Sequence, residues 1–302
     1  MKILVIVGPT ASGKSDLAVK LAKKFNGEII SADSRQVYKN LDIGTGKITK
    51  KEMSGIAHHL LDVANPKKQF SAAQYKTLAQ NSLQKIIKKN KLPIVTGGTG
   101  FYIDTITGRI NFPNVSPNKK LRKKLSQKST AELFQILKKK DPKKAKIIDP
   151  YNKVRLIRAL EIIEILGQVP ALHPTKPKDV EFIYIGLKPD NLDEKIYQRL
   201  CKRLRGIIRE VKKLREQKLS WKRLYGFGLE YRHVTLYLQK KFTQKEMVKK
   251  LYIATRHYAK RQMTWFKRNK KIKWFTLNGV EGFKPTEFKK ITEYVRMALS
   301  GD

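Results

Sequence analysis

Eight residues carry the clearest chemistry in the chain: Gly8, Pro9, Thr10, Ala11, Ser12, Gly13, Lys14 and Ser15. They follow the apolar run Ile3–Val7 and precede Leu17, Ala18, Leu21, Ala22 and Phe25, which recur at helical spacing. The order predicted is strand, glycine-rich turn, helix. In such a G-x-x-x-x-G-K-[ST] turn the two glycines let the backbone curl until several N–H groups point inward. Lys14 and the helix N-terminus add positive charge. The loop is therefore a cradle for phosphate or diphosphate, and Ser15 is the hydroxyl expected to hold Mg²⁺ against the bound phosphates. The loop alone leaves open which phosphate-bearing molecule is held, and whether its phosphate is transferred or departs.

Two further groups of residues stand at the ends of predicted strands. Glu28–Ala32 reads as a strand and delivers Asp33, Ser34, Arg35 and Gln36 to its carboxyl end, where open parallel sheets bind ligands. One crossover helix joins it to the first strand, which puts Asp33 near the cradle. Asp33 is then a reacting carboxylate, or it only caps a turn. Leu92–Thr96 reads as another strand and ends in Gly97, Gly98, Thr99 and Gly100. Thr99 offers a hydrogen bond beside the cradle, or the segment is a turn and nothing more. His58 and His59 are adjacent, so their side chains diverge in a strand or a helix and make poor joint metal ligands.

The elements that must position these groups suggest an α/β fold with a parallel sheet flanked by helices. Ser71 predicts an N-cap for a helix to about Lys89, with Tyr75, Leu78, Leu83, Ile86 and Ile87 facing inward. Val37–Lys47 is punctuated by glycine and reads as a surface loop. From Asn111 the sequence turns basic and helical, with Pro113 and Pro117 on one side and Pro170, Pro174 and Pro177 on the other. An inserted all-helical subdomain over residues 113–180 is expected, between core segments 1–112 and 181–302. Within it Arg155 and Arg158, three apart on a helix, share one face and either clamp phosphates or face solvent. Phe182–Leu187 returns to strand and is expected to rejoin the sheet. Ile196, Leu200, Leu204, Ile207, Val211 and Leu214 then mark the core stripe of a long basic helix. Farther on, Arg256, Tyr258, Lys260, Arg261, Gln262, Trp265 and Phe266 mix cations with aromatics, as binders of single-stranded RNA do; packing of these helices on the sheet explains them too.

Composition narrows the partners. The 302 residues hold 66 Lys plus Arg against 25 Asp plus Glu, a formal net charge of +41, which favours a polyanion, with nucleic acid first and an acidic membrane surface second. General lysine-rich usage is the competing explanation. Cys201 is the sole cysteine, so no disulfide framework and no cysteine-based zinc site is expected. With no signal-peptide pattern and no apolar run long enough to span a bilayer, the chain reads as soluble and cytoplasmic.

Taken in order, GPTASGKS, SADSRQVYKNLDIGTGK, TGGTGFY, DPYNKVRLIRALE and ATRHYAKRQMTWF resemble the bacterial tRNA dimethylallyltransferase family over nearly the whole chain. The resemblance implies a P-loop NTPase-like core. It implies transfer of a dimethylallyl group from dimethylallyl diphosphate, with Mg²⁺, to the exocyclic N6 of adenosine 37, beside the anticodon of tRNAs that read codons beginning with U. By the same resemblance Asp33, Ser34, Arg35, Gln36, Thr99, Arg122, Val154, Arg155, Leu156, Ile157, Arg158 and Arg232 meet the tRNA anticodon stem-loop, and the protein is expected to act as a monomer. The chain departs from the family at Gly228–Leu229–Glu230–Tyr231–Arg232, where the family commonly reads Gly-Tyr followed by Lys or Arg. With Cys201 the sole cysteine, the resemblance is to the bacterial type, and the zinc-finger extension of eukaryotic relatives is not expected.

The residues fit that chemistry on their own terms. An allylic diphosphate reacts by losing diphosphate, so the loop amides, Lys14 and a Ser15-held Mg²⁺ face the charge developing on the leaving oxygen. The N6 lone pair is delocalised into the purine, so attack needs a base, for which Asp33 is the candidate, with Thr99 orienting the amine or the diphosphate. The alternatives are a P-loop kinase for a small molecule and a non-catalytic RNA-binding protein.

Overall fold

The structure is a computed structural model that describes residues 1–113, 115–171, 179–278 and 283–301. Pro174 and Pro177, taken above as flanks of the insertion, lie outside the described residues. The chain folds as two compact units, one formed by Met1–Gly108 with Lys176–Asp302 and the other by Arg109–Thr175.

The first unit begins with β1 (Lys2–Val7), α1 (Lys14–Lys24) and β2 (Gly27–Ser31), followed by α2 (Lys50–Met53), β3 (His58–His59), α3 (Ala72–Lys88), β4 (Leu92–Gly97) and α4 (Gly100–Ile106). The second unit holds α5 (Lys119–Ser126), α6 (Thr130–Lys140), α7 (Pro142–Ala145) and α8 (Lys153–Leu166). The chain then returns with β5 (Glu181–Pro189), α9 (Leu192–Glu216), α10 (Trp221–Gly226), α11 (Leu229–Leu238), α12 (Gln244–Phe266), β6 (Lys273–Leu277) and α13 (Pro285–Ser300).

The six strands form one parallel sheet in the order β3-β2-β4-β1-β5-β6. Its four inner strands, β2, β4, β1 and β5, read as largely apolar runs because helices cover both faces. In β1, Ile3, Val5 and Val7 enter one core, while Leu4 and Ile6 enter the other. α1 and α13 close the second face with Leu17, Leu21, Ile291 and Val295. α3, α9, α11 and α12 close the first, where Tyr75, Ala79, Leu83 and Ile86 are the buried stripe of α3. Ser71 caps α3 by accepting from Gln74 N, and Gln74 returns the bond to Ser71 N. β5 pairs with β1 from Lys2 opposite Glu181 to Val7 opposite Gly186, so the FIYIGL segment does rejoin the sheet.

β4 lies between β2 and β1, and Asp33 nonetheless lines one cavity with the phosphate loop, near it as expected. Across the sheet, the Asp33 turn follows β2, the Gly97–Gly100 turn follows β4 and the phosphate loop follows β1, so the second glycine turn is the middle one. Val37–Lys47 is more than a surface loop. Val37, Tyr38 and Leu41 are buried, with Tyr38 edge-on to Phe227 at 5.1 Å. Glu210 on α9 accepts from the amides of Asp42 (2.9 Å), Ile43 (2.6 Å) and Gly44 (2.9 Å), pinning the loop from outside.

The helical unit has its own core of Leu125, Leu133, Leu137, Ala145, Leu156, Ala159, Leu160 and Ile163. Asn118, Ser129, Asp141 and Asn152 cap its four helices with side-chain oxygens, the local chemistry that starts helices in so basic a segment.

Candidate active site

The phosphate loop takes the shape its residues require. Ala11 and Gly13 adopt positive φ of 61° and 80°, which turns the chain tightly into α1. A Cβ at Gly8 would stand 2.7 Å from Ser12 Oγ and 3.0 Å from the Leu187 carbonyl oxygen, so only glycine fits there. Lys14 Nζ donates to the Pro9 carbonyl at 2.9 Å. Burial, reinforced by Arg199 and opposed by Asp33, lowers the Lys14 pKa to about 8. Thr10, Lys14 and Ser15 line a cavity of about 330 Å³, while Ala11, Ser12 and Gly13 line a second hollow of about 310 Å³ with Lys195, Gln198, Arg199 and Lys202.

Asp33, Ser34, Arg35 and Gln36 line the first cavity opposite the loop. One oxygen of Asp33 does cap the turn, accepting from Arg35 N at 2.8 Å and Gln36 N at 3.3 Å. Its other oxygen has no hydrogen bond among the described residues, so capping the turn leaves half of the carboxylate uncommitted. Thr99 behaves differently. Its hydroxyl accepts from Ser34 N at 3.0 Å, its amide donates to the Ala32 carbonyl at 3.1 Å, and it does not line the cavity. Thr99 thus braces the Asp33 turn from the middle strand.

The cavity adds Arg199 and Glu230 to the residues expected at the site, and it draws in others that the sequence offered only as RNA contacts or packing. Arg199 on α9 faces both hollows, and burial, with Arg203 adding to it, lowers its pKa. Glu230, at the start of α11, lines the cavity at the position where the motif departs from the family, and burial raises its pKa against the pull of Arg203 and Arg199. Tyr258, Arg261 and Gln262 reach the cavity from α12. His58 lines it too, with Nδ1 2.8 Å from the Ile56 carbonyl, whereas His59 turns away to Glu28. No motif flags Arg199, because in sequence it is one cation among many on a basic helix. Arg232 lines the cavity and stacks over Tyr225 with 4.6 Å to the ring centroid, while Tyr231 is buried and donates to Glu210 at 2.7 Å.

The expected RNA contacts of the helical unit divide into three kinds. Val154 and Arg155 are exposed, Val154 by 75%. Leu156 is fully buried in the helical core and Ile157 packs against it, so these two side chains serve the fold and are not surfaces for RNA. Arg122 and Arg158 converge on the buried carboxylate of Glu161: Arg122 Nε and Nη2 each donate at 2.8 Å, and Arg158 Nη1 donates to the same group. Arg158 Nη2 also reaches the Val115 carbonyl at 2.8 Å, and Asn118 N donates to Glu161 at 2.6 Å. Burial pulls the Glu161 pKa up, but Arg122, Arg158 and the Asn118 amide outweigh it and hold the group at about 2. The two arginines of the expected clamp are thus unlike: Arg155 is exposed with no ion pair among the described residues, whereas Arg158 is bonded to Glu161.

Comparison with known proteins agrees with this geometry. The chain is 40% identical to the tRNA dimethylallyltransferase of Caldanaerobacter subterraneus subsp. tengcongensis, covering 98% of each, and 41% identical to that of Anoxybacillus flavithermus, covering 91% of this chain and 90% of the relative. Among solved structures, the full-length tRNA isopentenylpyrophosphate transferase from Bacillus halodurans superposes with a TM-score of 0.75 at 34% identity, over 99% of this chain and 97% of that one. A eukaryotic dimethylallyltransferase acting on tRNA superposes with a TM-score of 0.86 at 26% identity, over 99% of this chain and 80% of that one. Residues 36–269 match the IPP transferase family, and with these relatives they establish that the chain belongs to it.

Proposed function

We propose that this protein transfers a dimethylallyl group from dimethylallyl diphosphate to N6 of adenosine 37 in tRNAs that read codons beginning with U, releasing diphosphate. The observation that carries the reading is the cavity at the carboxyl ends of β1, β4 and β2. It is lined on one side by an anion loop and on the other by a carboxylate with one uncommitted oxygen, in a chain that belongs to the IPP transferase family.

Lys14, the loop amides and Arg199 bind the diphosphate and stabilise the charge that builds on the ester oxygen joining it to the allylic carbon as that C–O bond breaks. Asp33 accepts the N6 proton as the new C–N bond forms, a contribution of about 10² to 10⁴ in rate. Thr99 and the backbone amides of Arg35 and Gln36 hold that carboxylate in place. The Ser15 hydroxyl would hold Mg²⁺, an ion that takes oxygen ligands, keeps several waters and draws its further oxygens from phosphates, which leaves Asp33 as the base. When bound, Mg²⁺ supplies charge neutralisation to the leaving group.

The adenosine must leave the anticodon-loop stack to enter the cavity, at a cost of a few kcal/mol. Contacts of exposed cations such as Arg155 with the stem-loop backbone offset that cost and position the RNA. The reading calls for no residue from a second copy, and action as a monomer is part of the proposal. No described helix is long and apolar enough to cross a membrane, in keeping with work on tRNA in the cytoplasm. Diphosphate release, followed while donor and tRNA are varied, tests the reading. Release that requires both substrates is expected, and phosphoryl transfer from ATP in place of it would replace this reading with that of a kinase.

A further inference from the structure

α12 reaches the phosphate loop through one side chain. Gln262 is 5% exposed, and its amide is used at both ends. Oε1 accepts from the Thr10 amide at 2.8 Å, and Nε2 donates to the Gly98 carbonyl at 2.7 Å. Thr10 belongs to the loop after β1, and Gly98 to the turn after β4, the adjacent strand. The fit leaves no slack, since a Cβ on Gly98 would run into Gln262 Nε2. One turn of helix later, Trp265 donates to Asp104 at 2.8 Å and its ring lies where a Cβ on Gly100 would stand. Gly98 and Gly100 are thus kept small by α12, while Gly97 is kept small by the Ala32 backbone after β2.

From Gly98 the connection continues to the acceptor side. Thr99 follows in the chain and holds Ser34 N, and Asp33 precedes Ser34. A path of hydrogen bonds and single peptide links therefore runs from the loop for the leaving group to the carboxylate for the attacking amine, with Gln262 as its only side-chain amide.

We propose that Gln262 is a positioning residue that fixes the phosphate loop relative to the Asp33 turn, and so sets the alignment of the departing diphosphate with the acceptor nitrogen. This rests on the prenyl-transfer reading given above. Displacement at carbon demands alignment of nucleophile and leaving group, and small misplacements lower the rate steeply. An amide is the side chain that satisfies both backbone groups, because one terminus must accept and the other must donate.

Two variants test this. Gln262→Met keeps the length and removes both bonds. Its kcat is expected to fall by about 10²-fold, with KM for tRNA nearly unchanged because Tyr258 and Arg261 remain. Gln262→Glu keeps the acceptor for Thr10, but its carboxylate faces the Gly98 carbonyl. Only the protonated acid can donate there, so the ratio of its kcat to that of the wild type is expected to rise as pH falls. Referring each rate to the wild type at the same pH removes the titration of Asp33 from the comparison. A Gln262→Met protein that melts lower yet keeps wild-type kcat overturns the proposal, and so does a Gln262→Glu ratio that stays flat with pH.

Amide hydrogen exchange over residues 8–15 gives a readout independent of turnover. Gln262→Met is expected to speed exchange there while the protection of β1 and α3 is retained, and unchanged exchange over the loop overturns the proposal. Should the wild type fail to prenylate tRNA, the function reading falls while the exchange result still decides the role of Gln262.

Discussion

The arginines of the cavity and those of the helical unit are alike in sequence and opposite in circumstance. Arg199 lines both hollows beside the phosphate loop, and its one hydrogen bond among the described residues goes to the neutral Gly46 carbonyl at 3.3 Å. Arg203 likewise donates to the Ile43 carbonyl. Arg122 and Arg158, in contrast, share the buried carboxylate of Glu161. Positive charge without a hydrogen-bonded counter-ion at the cavity is ready for a polyanionic ligand, whereas charge locked onto Glu161 mainly orders the helices around it. A net charge of +41 therefore describes two functions at once, and only geometry separates them.

The largest effect in this contrast is expected at Asp33, the carboxylate that the cavity leaves half uncommitted. Asp33→Ala should lower prenylation by about 10² to 10⁴ with tRNA affinity little changed. Loss of tRNA affinity at normal turnover would make Asp33 a binding residue instead.

Next comes Lys14. Lys14→Ala should weaken donor binding by about 10- to 100-fold, the loss of one charge-assisted hydrogen bond. Since the Lys14 pKa lies at about 8, the ammonium is lost as pH rises through that value. Wild-type donor affinity should accordingly decline above pH 8, and the decline should be absent in Lys14→Ala. A titration of donor affinity from pH 7 to 10 checks both.

In the helical unit the effect should appear in stability. Glu161→Gln leaves two arginines without their carboxylate and should cost about 1–3 kcal/mol, the partial exposure of both guanidinium groups moderating the loss. The Glu161 pKa is held at about 2 against an ordinary 4.5. Its contribution is thus complete above about 4.5 and is lost as pH falls toward 2. Thermal melts of the two proteins should converge over that acid range, and melts that stay equally far apart would remove Glu161 from this role.

The smallest effect is expected from Arg155→Ala, an exposed side chain. Weakened tRNA binding and a salt slope reduced by about one are expected. An unaltered slope would leave Arg155 as a solvated cation with no phosphate contact.

How much of this the sequence revealed follows from how local each feature is. The phosphate loop was legible because a strand, two glycines, Lys14 and Ser15 act within eight residues. Strands β1, β2, β4 and β5 were legible as apolar runs, and α3 and α9 by periodicity. β3 and β6 were not, being short edge strands of two and five residues with little burial. The placement of β4 between β1 and β2 is a property of the whole sheet. It is the reason that Gly97–Gly100, weak as a motif, became the centre of the site. Arg199 and Glu210 carry no local signal, and Gln262 reads only as part of an RNA-binding or packing stretch, because their partners lie more than 150 residues away in sequence. Leu156 and Ile157 were drawn in by their arginine neighbours, and only the helical core shows that they face inward.

The most direct measurement is mass analysis of tRNA nucleosides after incubation with dimethylallyl diphosphate and Mg²⁺, run in parallel with the wild type and Asp33→Ala. N6-dimethylallyladenosine at position 37 with the wild type, and its near absence with Asp33→Ala, is the expected result. Unmodified tRNA with the folded wild type, or equal modification by both proteins, would contradict the assignment of this cavity to prenyl transfer with Asp33 as its base.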